Sequence, residues 1–186
     1  MDEQSLAQRV REGDGEAFKE IFDAYAARLY NYACRLVGDA EEARDLTQDS
    51  FLKAYRALVR GEEPRDLPAW LYRIVSNTCL DALRRRRLIR WQPLDDLLAV
   101  LGVAAGRGPE EQVLQRERQN EVERVLAQLP PRYRMYLLLR EREGFSYREI
   151  AAITGDTPDT VKVTLYRARE RARQIGAQLR AGRDPS

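Results

Sequence analysis

The side chains best suited to do chemistry in this chain are hydrogen-bond donors and cations repeated at helical spacing. Residues 146–172 read SYREIAAITGDTPDTVKVTLYRARERA. Ser146-x-x-Glu149 is a capping box opening a short helix, with Ile150, Ala151 and Ile153 as its buried positions. Gly155 supplies a tight turn, Thr157 caps the following helix, and Pro158 takes its first position. That helix buries Val161, Leu165 and Ala168 and turns Thr160, Lys162, Thr164, Arg167 and Arg171 outward. A helix, a glycine turn and a second helix with a basic exterior form a helix-turn-helix signature, whose second helix fits the major groove of DNA. There Lys162 and Arg167 suit guanine O6/N7 or phosphate, Thr164 suits either, and Thr160 at the helix start favours phosphate. An ordinary helical hairpin with a basic exterior is the plainer account of the same pattern.

Two more groups lie in the first half. Residues 45–51, DLTQDSF, set Asp45, Gln48 and Asp49 on an outward polar face with Phe51 inward. Residues 70–87, WLYRIVSNTCLDALRRRR, combine Trp70, Tyr72, Asn77 and the arginines Arg84, Arg85, Arg86 and Arg87 on one helix. Taken singly, the first is a solvated acidic face and the second a basic helix end favoured by the helix dipole. Enzymatic chemistry is poorly served. The chain has no histidine, and its only cysteines are Cys34 and Cys79, so zinc ligands and imidazole proton shuttles are lacking. Asp45 and Asp49 have no nucleophile, metal cluster or glycine-rich phosphate loop near them, so neither a catalytic centre nor a cofactor is expected. Both cysteines fall among apolar helical positions and read as small core residues.

The elements that must position these groups are helices throughout. From Ala17 to Val37 apolar residues recur at i, i+3 and i+4, ending at Gly38. Asp39, with Glu42 three residues on, opens a second helix burying Ala43, Leu46, Phe51, Leu52, Tyr55 and Leu58 and ending at Gly61. Gly61–Pro68 is a loop, and Pro68 fits the first position of a third helix running from Ala69 to about Ile89. Gly102, Gly106, Gly108 and Pro109 mark residues 91–111 as a linker. Helical spacing then resumes, stops at Pro130-Pro131, continues from Arg132 to Glu143, and turns at Gly144 before the helix-turn-helix. The expected architecture is all-α with two helical domains, 1–90 and 112–186, joined by a flexible linker at 91–111.

Composition agrees. The 186 residues carry 32 basic and 30 acidic side chains, a balance that argues against a disordered polyelectrolyte. That balance hides segregation: basic against acidic residues number 9 to 12 over 1–60, 7 to 4 over 61–90, 4 to 7 over 91–131 and 12 to 7 over 132–186. Separate basic blocks suit two contacts with a polyanion. The longest apolar run, Leu97 to Ala105, is far short of the ~18–20 residues that span a bilayer. The start, MDEQSLAQRV, lacks signal-peptide features, so a cytoplasmic protein without membrane insertion is expected.

The segments A-x-D-L-T-Q-D-x-F, W-L-x-x-I-x-x-N-x-x-x-D-x-x-R-R and S-Y-x-E-I-A…V-x-x-x-x-x-R-A-R-E-R occur here in that order. In sequence, order and spacing they resemble bacterial sigma factors of the sigma-70 family, and the small size fits the extracytoplasmic-function (ECF) group. The resemblance covers about residues 5–90 and 110–175. It implies binding to core RNA polymerase and direction of that enzyme to particular promoters. Asp45, Gln48 and Asp49 would then contact a coiled coil of the largest polymerase subunit. Trp70, Arg73, Asn77 and Arg84–Arg87 would read the melted −10 element, Asn77 at a base edge and the four arginines at phosphates. Thr160, Lys162, Thr164, Tyr166, Arg167 and Arg169 would hold the −35 duplex. An anti-sigma partner is common in the group. Family members often carry Arg and Ser where this chain has Lys162 and Val163, and Arg where it has Thr164, so no promoter sequence carries over. The competing reading is a stand-alone helix-turn-helix regulator that binds an operator without polymerase.

Overall fold

The structure, a computed structural model, describes residues 3–89 and 121–181. The helices are α1 (Glu3–Arg11), α2 (Gly15–Val37), α3 (Ala40–Val59), α4 (Leu67–Ile89), α5 (residues 121–128), α6 (Pro131–Leu137), α7 (Tyr147–Thr154) and α8 (Pro158–Ala181). α6 runs on into a π-helical turn, Leu138–Arg142. Among the described residues there is no strand. The linker expected over 91–111 lies outside them.

The caps do most of the punctuation. α2 ends where Gly38 turns left-handed at φ +80° and returns its N–H to Cys34 O. Asp39 accepts the Glu42 N–H at 2.8 Å, but Glu42 does not return the bond and instead reaches Arg86 at 3.3 Å. α4 begins at Leu67 rather than at Ala69, because Asp66 accepts the Ala69 N–H at 2.9 Å and starts the helix one residue before Pro68. α1 is an element that the hydrophobic pattern does not announce. Its Leu6, Ala7 and Val10 join the core, and Asp14 caps α2 while its carboxyl is held low by the Arg9 guanidinium.

Two side chains expected inside α3 are not. Leu52 is 47% exposed and Tyr55 41%, since both fall beyond the edge of the Ala43–Phe51–Ala54–Leu58 stripe. Cys79 is buried, its thiol pushed up to about 12 by that burial, whereas Cys34 is half-buried; neither forms a disulfide.

The helices α1–α4 and α5–α8 share one continuous core. The Tyr72 ring lies between Tyr32 and Phe145, edge-on to each at 5.1 and 5.0 Å. Its hydroxyl donates to Glu143, with Arg28 3.8 Å from the same carboxylate. Arg134, 7% exposed, donates to Leu36 O at 2.8 Å and to Ala127 O and Leu129 O at 2.7 and 3.2 Å. One guanidinium thus satisfies the carbonyl ends of α2 and α5 together, where the helix dipoles favour a cation.

Candidate nucleic-acid interface

The helix-turn-helix is built as its sequence specifies. Ser146 and Glu149 make both bonds of the capping box, at 3.3 and 2.6 Å. Those bonds hold the Glu149 carboxyl below the usual range. Gly155 adopts φ +77°, and Thr157 Oγ1 accepts the Thr160 N–H at 3.2 Å to start α8. The turn is also pinned from behind. Asp156 receives the Tyr136 hydroxyl and sits 2.9 Å from the Arg132 guanidinium. Burial pushes the Asp156 carboxyl up, but Tyr136, Arg132 and Thr154 outweigh it and keep it low.

Along α8, Val161, Leu165 and Ala168 are fully buried. Thr160, Lys162, Tyr166 and Arg167 are exposed, spread across the outward half of the helix. Thr164 does not join them. It is only 9% exposed, because it lies three residues on from Val161 and beside Leu165 on the inward stripe. Arg169 is off the outward line as well, donating to Glu141 at 2.7 Å. Arg171 is exposed and bonds Gln174.

In the first half, Trp70, Arg73 and Asn77 line one groove of about 610 Å³ between α3 and α4. The opposite wall carries Lys53, Arg56 and Arg60, three cations that were not among the residues expected from the sequence motifs. Their spacing of three and four residues along α3 was the available signal. Trp70 is half-buried and its indole N–H donates to Glu62 at 3.2 Å; Lys53 donates to Thr78 at 3.1 Å. The groove therefore offers an aromatic plane, an amide and several cations at once, the combination that binds unstacked bases and their phosphates.

The four arginines do not act as one patch. Arg84 pairs with Asp81 at 2.9 Å, Arg85 reaches Asp81 O at 3.4 Å, and Arg86 pairs with Glu42 at 3.3 Å. Arg84 and Arg87 border a cleft facing Arg132 and Asp156 of the other half. Consecutive residues fan around a helix by 100°, so a run of four must point several ways.

Asp45, Gln48 and Asp49 are all exposed on α3. Asp49 pairs with Lys53 at 2.7 Å. Leu52, Tyr55 and Val59 continue the exposed side of the helix, with Phe22 of α2 packed on Phe51 alongside. The face is thus acidic at one end and apolar at the other.

A capped helix-turn-helix and a groove of aromatic and basic side chains, both on an all-helical scaffold, give the chain the build of a DNA-binding protein. Residues 21–89 match the sigma-70 region 2 family and residues 119–171 the sigma-70 region 4 family. The chain is 30% identical to the ECF RNA polymerase sigma factor SigW of Bacillus subtilis, over 89% of this chain and 92% of that one. It is 35% identical to the RNA polymerase sigma-H factor of Pseudomonas aeruginosa, over 90% of each. Its fold resembles that of the sigma factor RpoE of Bartonella quintana, solved in complex with the anti-sigma factor NepR. There the TM-score is 0.64 and the identity 27%, over 85% of this chain and 95% of that one. The chain belongs to the sigma-70 family, in its ECF group, and is an RNA polymerase sigma factor directing promoter-specific transcription. Among the described residues no helix is long and apolar enough to cross a membrane.

Proposed function

We propose a division of labour among the three surfaces, acting in the cytoplasm where the polymerase works. The Asp45–Gln48–Asp49 face of α3, extended by Leu52, docks on core RNA polymerase. Exposed carboxylates give orientation and on-rate against a basic helical partner, and an exposed leucine adds apolar contact. The α3–α4 groove takes the separated strand of the −10 element, with Trp70 as stacking plane, Asn77 at a base edge, and Arg73, Lys53, Arg56 and Arg60 at phosphates. Among the described residues no ion pair engages Arg85, which extends this phosphate track, while Arg87 borders the cleft that faces the other half. On α8, Thr160, Lys162, Tyr166 and Arg167 read the −35 duplex. Thr164 supports the helix from inside and Arg169 braces it against Glu141.

What carries this reading is the outward surface of α8, held at both its turn and its cap. The promoter elements lie about 25 base pairs apart, or roughly 85 Å of duplex at 3.4 Å per pair. A compact globule of this length is only about 40 Å across. The two halves therefore part before one DNA molecule meets both surfaces, and the Tyr72–Glu143 and Arg134–Leu36 contacts break as they do so. An anti-sigma protein, such as the one bound to the Bartonella relative, is a fitting inhibitor because it need only hold the halves together.

Run-off transcription with purified core polymerase on a promoter library tests the reading. The chain should confer start-site choice that core enzyme lacks. Arg167→Ala should reduce transcription that depends on the −35 duplex more than binding to a pre-melted −10 fork. Equal losses on the two templates would overturn the division, and operator binding without polymerase would favour a stand-alone regulator.

A further inference from the structure

A groove of about 540 Å³ opens where α5, the π-helical turn after α6 and α8 meet the last turn of α2. Its wall is mostly carbon, from Val122, Val125, Leu126, Leu137, Leu138 and Ala172. Val122 is 57% exposed, a large apolar side chain held in water. The rest of the lining is charged, and its three carboxylates are already engaged. Glu121 pairs with Arg180 at 2.7 Å, Glu123 with Arg35 at 3.2 Å and Glu141 with Arg169 at 2.7 Å. Among the described residues no ion pair engages Arg142, so the lining keeps a cation in excess. Contiguous apolar surface of this kind marks a place where another segment binds. The chain itself supplies one. The described residues resume at Glu121, which lines the groove, so the segment 90–120 ends at the groove itself. That segment holds the longest apolar run of the sequence, Leu97 to Ala105, with Asp95 and Asp96 just before it. Leu94, Leu98 and Leu101 repeat at i, i+4 and i+7, the spacing with which an apolar stripe enters a groove. The acidic pair complements the excess cation. Covalent linkage adds to both, because a groove joined to its ligand sees it at an effective concentration on the order of millimolar.

We propose that, in the chain without polymerase, the Leu94–Leu101 stretch docks in this groove, with Leu98 and Leu101 against Val122 and Val125 and the acidic pair toward Arg142. The inference goes beyond the division of labour among the promoter surfaces and does not depend on it. Docking also shortens the connection between the halves. Fully extended, the chain from Ile89 to Glu121 reaches about 110 Å, but from Ile89 to Leu98 only about 30 Å. The docked stretch therefore favours the packed halves that Tyr72 and Arg134 hold together.

The test is nuclear magnetic resonance on the full chain with its leucine and valine methyls labelled. Cross-peaks are expected between the methyls of Val122 or Val125 and those of Leu98 or Leu101, at a concentration where sedimentation shows a monomer. The double change Leu98→Asp with Leu101→Asp should abolish them and should raise the fluorescence of the apolar dye anilinonaphthalene sulfonate severalfold, as the groove opens to water. Val122→Asp, at an exposed position, should remove the Val125 cross-peaks from the groove side, with the helices of both variants kept by circular dichroism. Several results would overturn the proposal. These are a native chain without such cross-peaks, cross-peaks that survive in both variants, and cross-peaks seen only between differently labelled copies, which would make the occupant a second molecule. A groove that binds the dye in the native chain as strongly as in the variants, and loses it only when core polymerase is added, would give the surface to polymerase instead. Each of these leaves promoter-directed transcription standing, since run-off transcription measures that separately.

Discussion

Replacing Tyr72 by Phe leaves the ring between Tyr32 and Phe145 and removes a single hydroxyl, the one that donates to Glu143 across the two halves. A hydrogen bond to a carboxylate is worth about 1.5–3 kcal/mol. The lower end applies, because Glu143 is 15% exposed and keeps Arg28 at 3.8 Å after the change. About 1.4 kcal/mol is a factor of ten in an equilibrium constant. The bond exists only while the halves are packed, so its loss should move the packed-to-parted equilibrium about tenfold toward the parted form. A polymerase that spreads the two halves toward promoter elements about 25 base pairs apart binds only the parted form, so its apparent affinity is reduced by the fraction of chain in that form. The variant should therefore bind core polymerase about tenfold more tightly than the native chain in a fluorescence titration, and scatter as a larger particle when free. Glu143→Ala should act in the same direction, and the double variant should add little to either because both single changes remove the same bond. Unchanged or weaker core affinity in Tyr72→Phe, with its helices intact by circular dichroism, would refute the argument that the packed halves compete with polymerase.

Three further outcomes are expected. Asp49→Ala should weaken association with core polymerase and leave thermal stability nearly unaltered, since Asp49 is exposed and pairs with Lys53 on the same helix; holoenzyme assembly at native strength would remove it from the contact face. Gly155→Ala should destabilise the fold by about 1–2 kcal/mol, lowering the melting temperature by about 3–6 °C. A Cβ there meets no neighbour, so the penalty is that of φ +77° alone, and a native melting temperature would show that the turn tolerates a side chain. Glu149 and Asp156 both have folded pKa values below their unfolded ones, so the stability they contribute is present above the ordinary carboxylate range and lost as pH falls through the folded values. Melting temperature should accordingly drop from about pH 5 downward, and Glu149→Gln should flatten that slope; a slope unchanged in the variant would count against the capping box as its source.

Much of the interface was legible because its determinants are local. Ser146, Glu149, Gly155 and Thr157 act within one turn of themselves, and their bonds follow from residue type and spacing. The family resemblance likewise rests on contiguous motifs. Lys53, Arg56 and Arg60 were harder to see, since three cations on α3 and at its end form one wall of a groove only when Trp70, Arg73 and Asn77 of α4 stand opposite. Thr164 was read as outward because its polarity suggests solvent, yet helical phase places it beside Leu165 on the inward stripe. All four arginines of the run were assigned to phosphates, but adjacency on a helix separates their directions, and Arg84 and Arg86 are engaged by Asp81 and Glu42.

By itself the sequence determined the helices from α2 onward to within a few residues, the helix-turn-helix with its caps, and the exposure of Thr160, Lys162 and Arg167, all of which depend on residues no more than a few positions apart. Only the tertiary structure decided that Arg134 would serve the ends of α2 and α5 at once, and that Tyr72 would seal the halves through Phe145 and Glu143. Arg134 and Leu36 are 98 residues apart, and Tyr72 and Glu143 are 71. No periodicity links such pairs, because their meeting is set by how finished helices pack rather than by how each one forms.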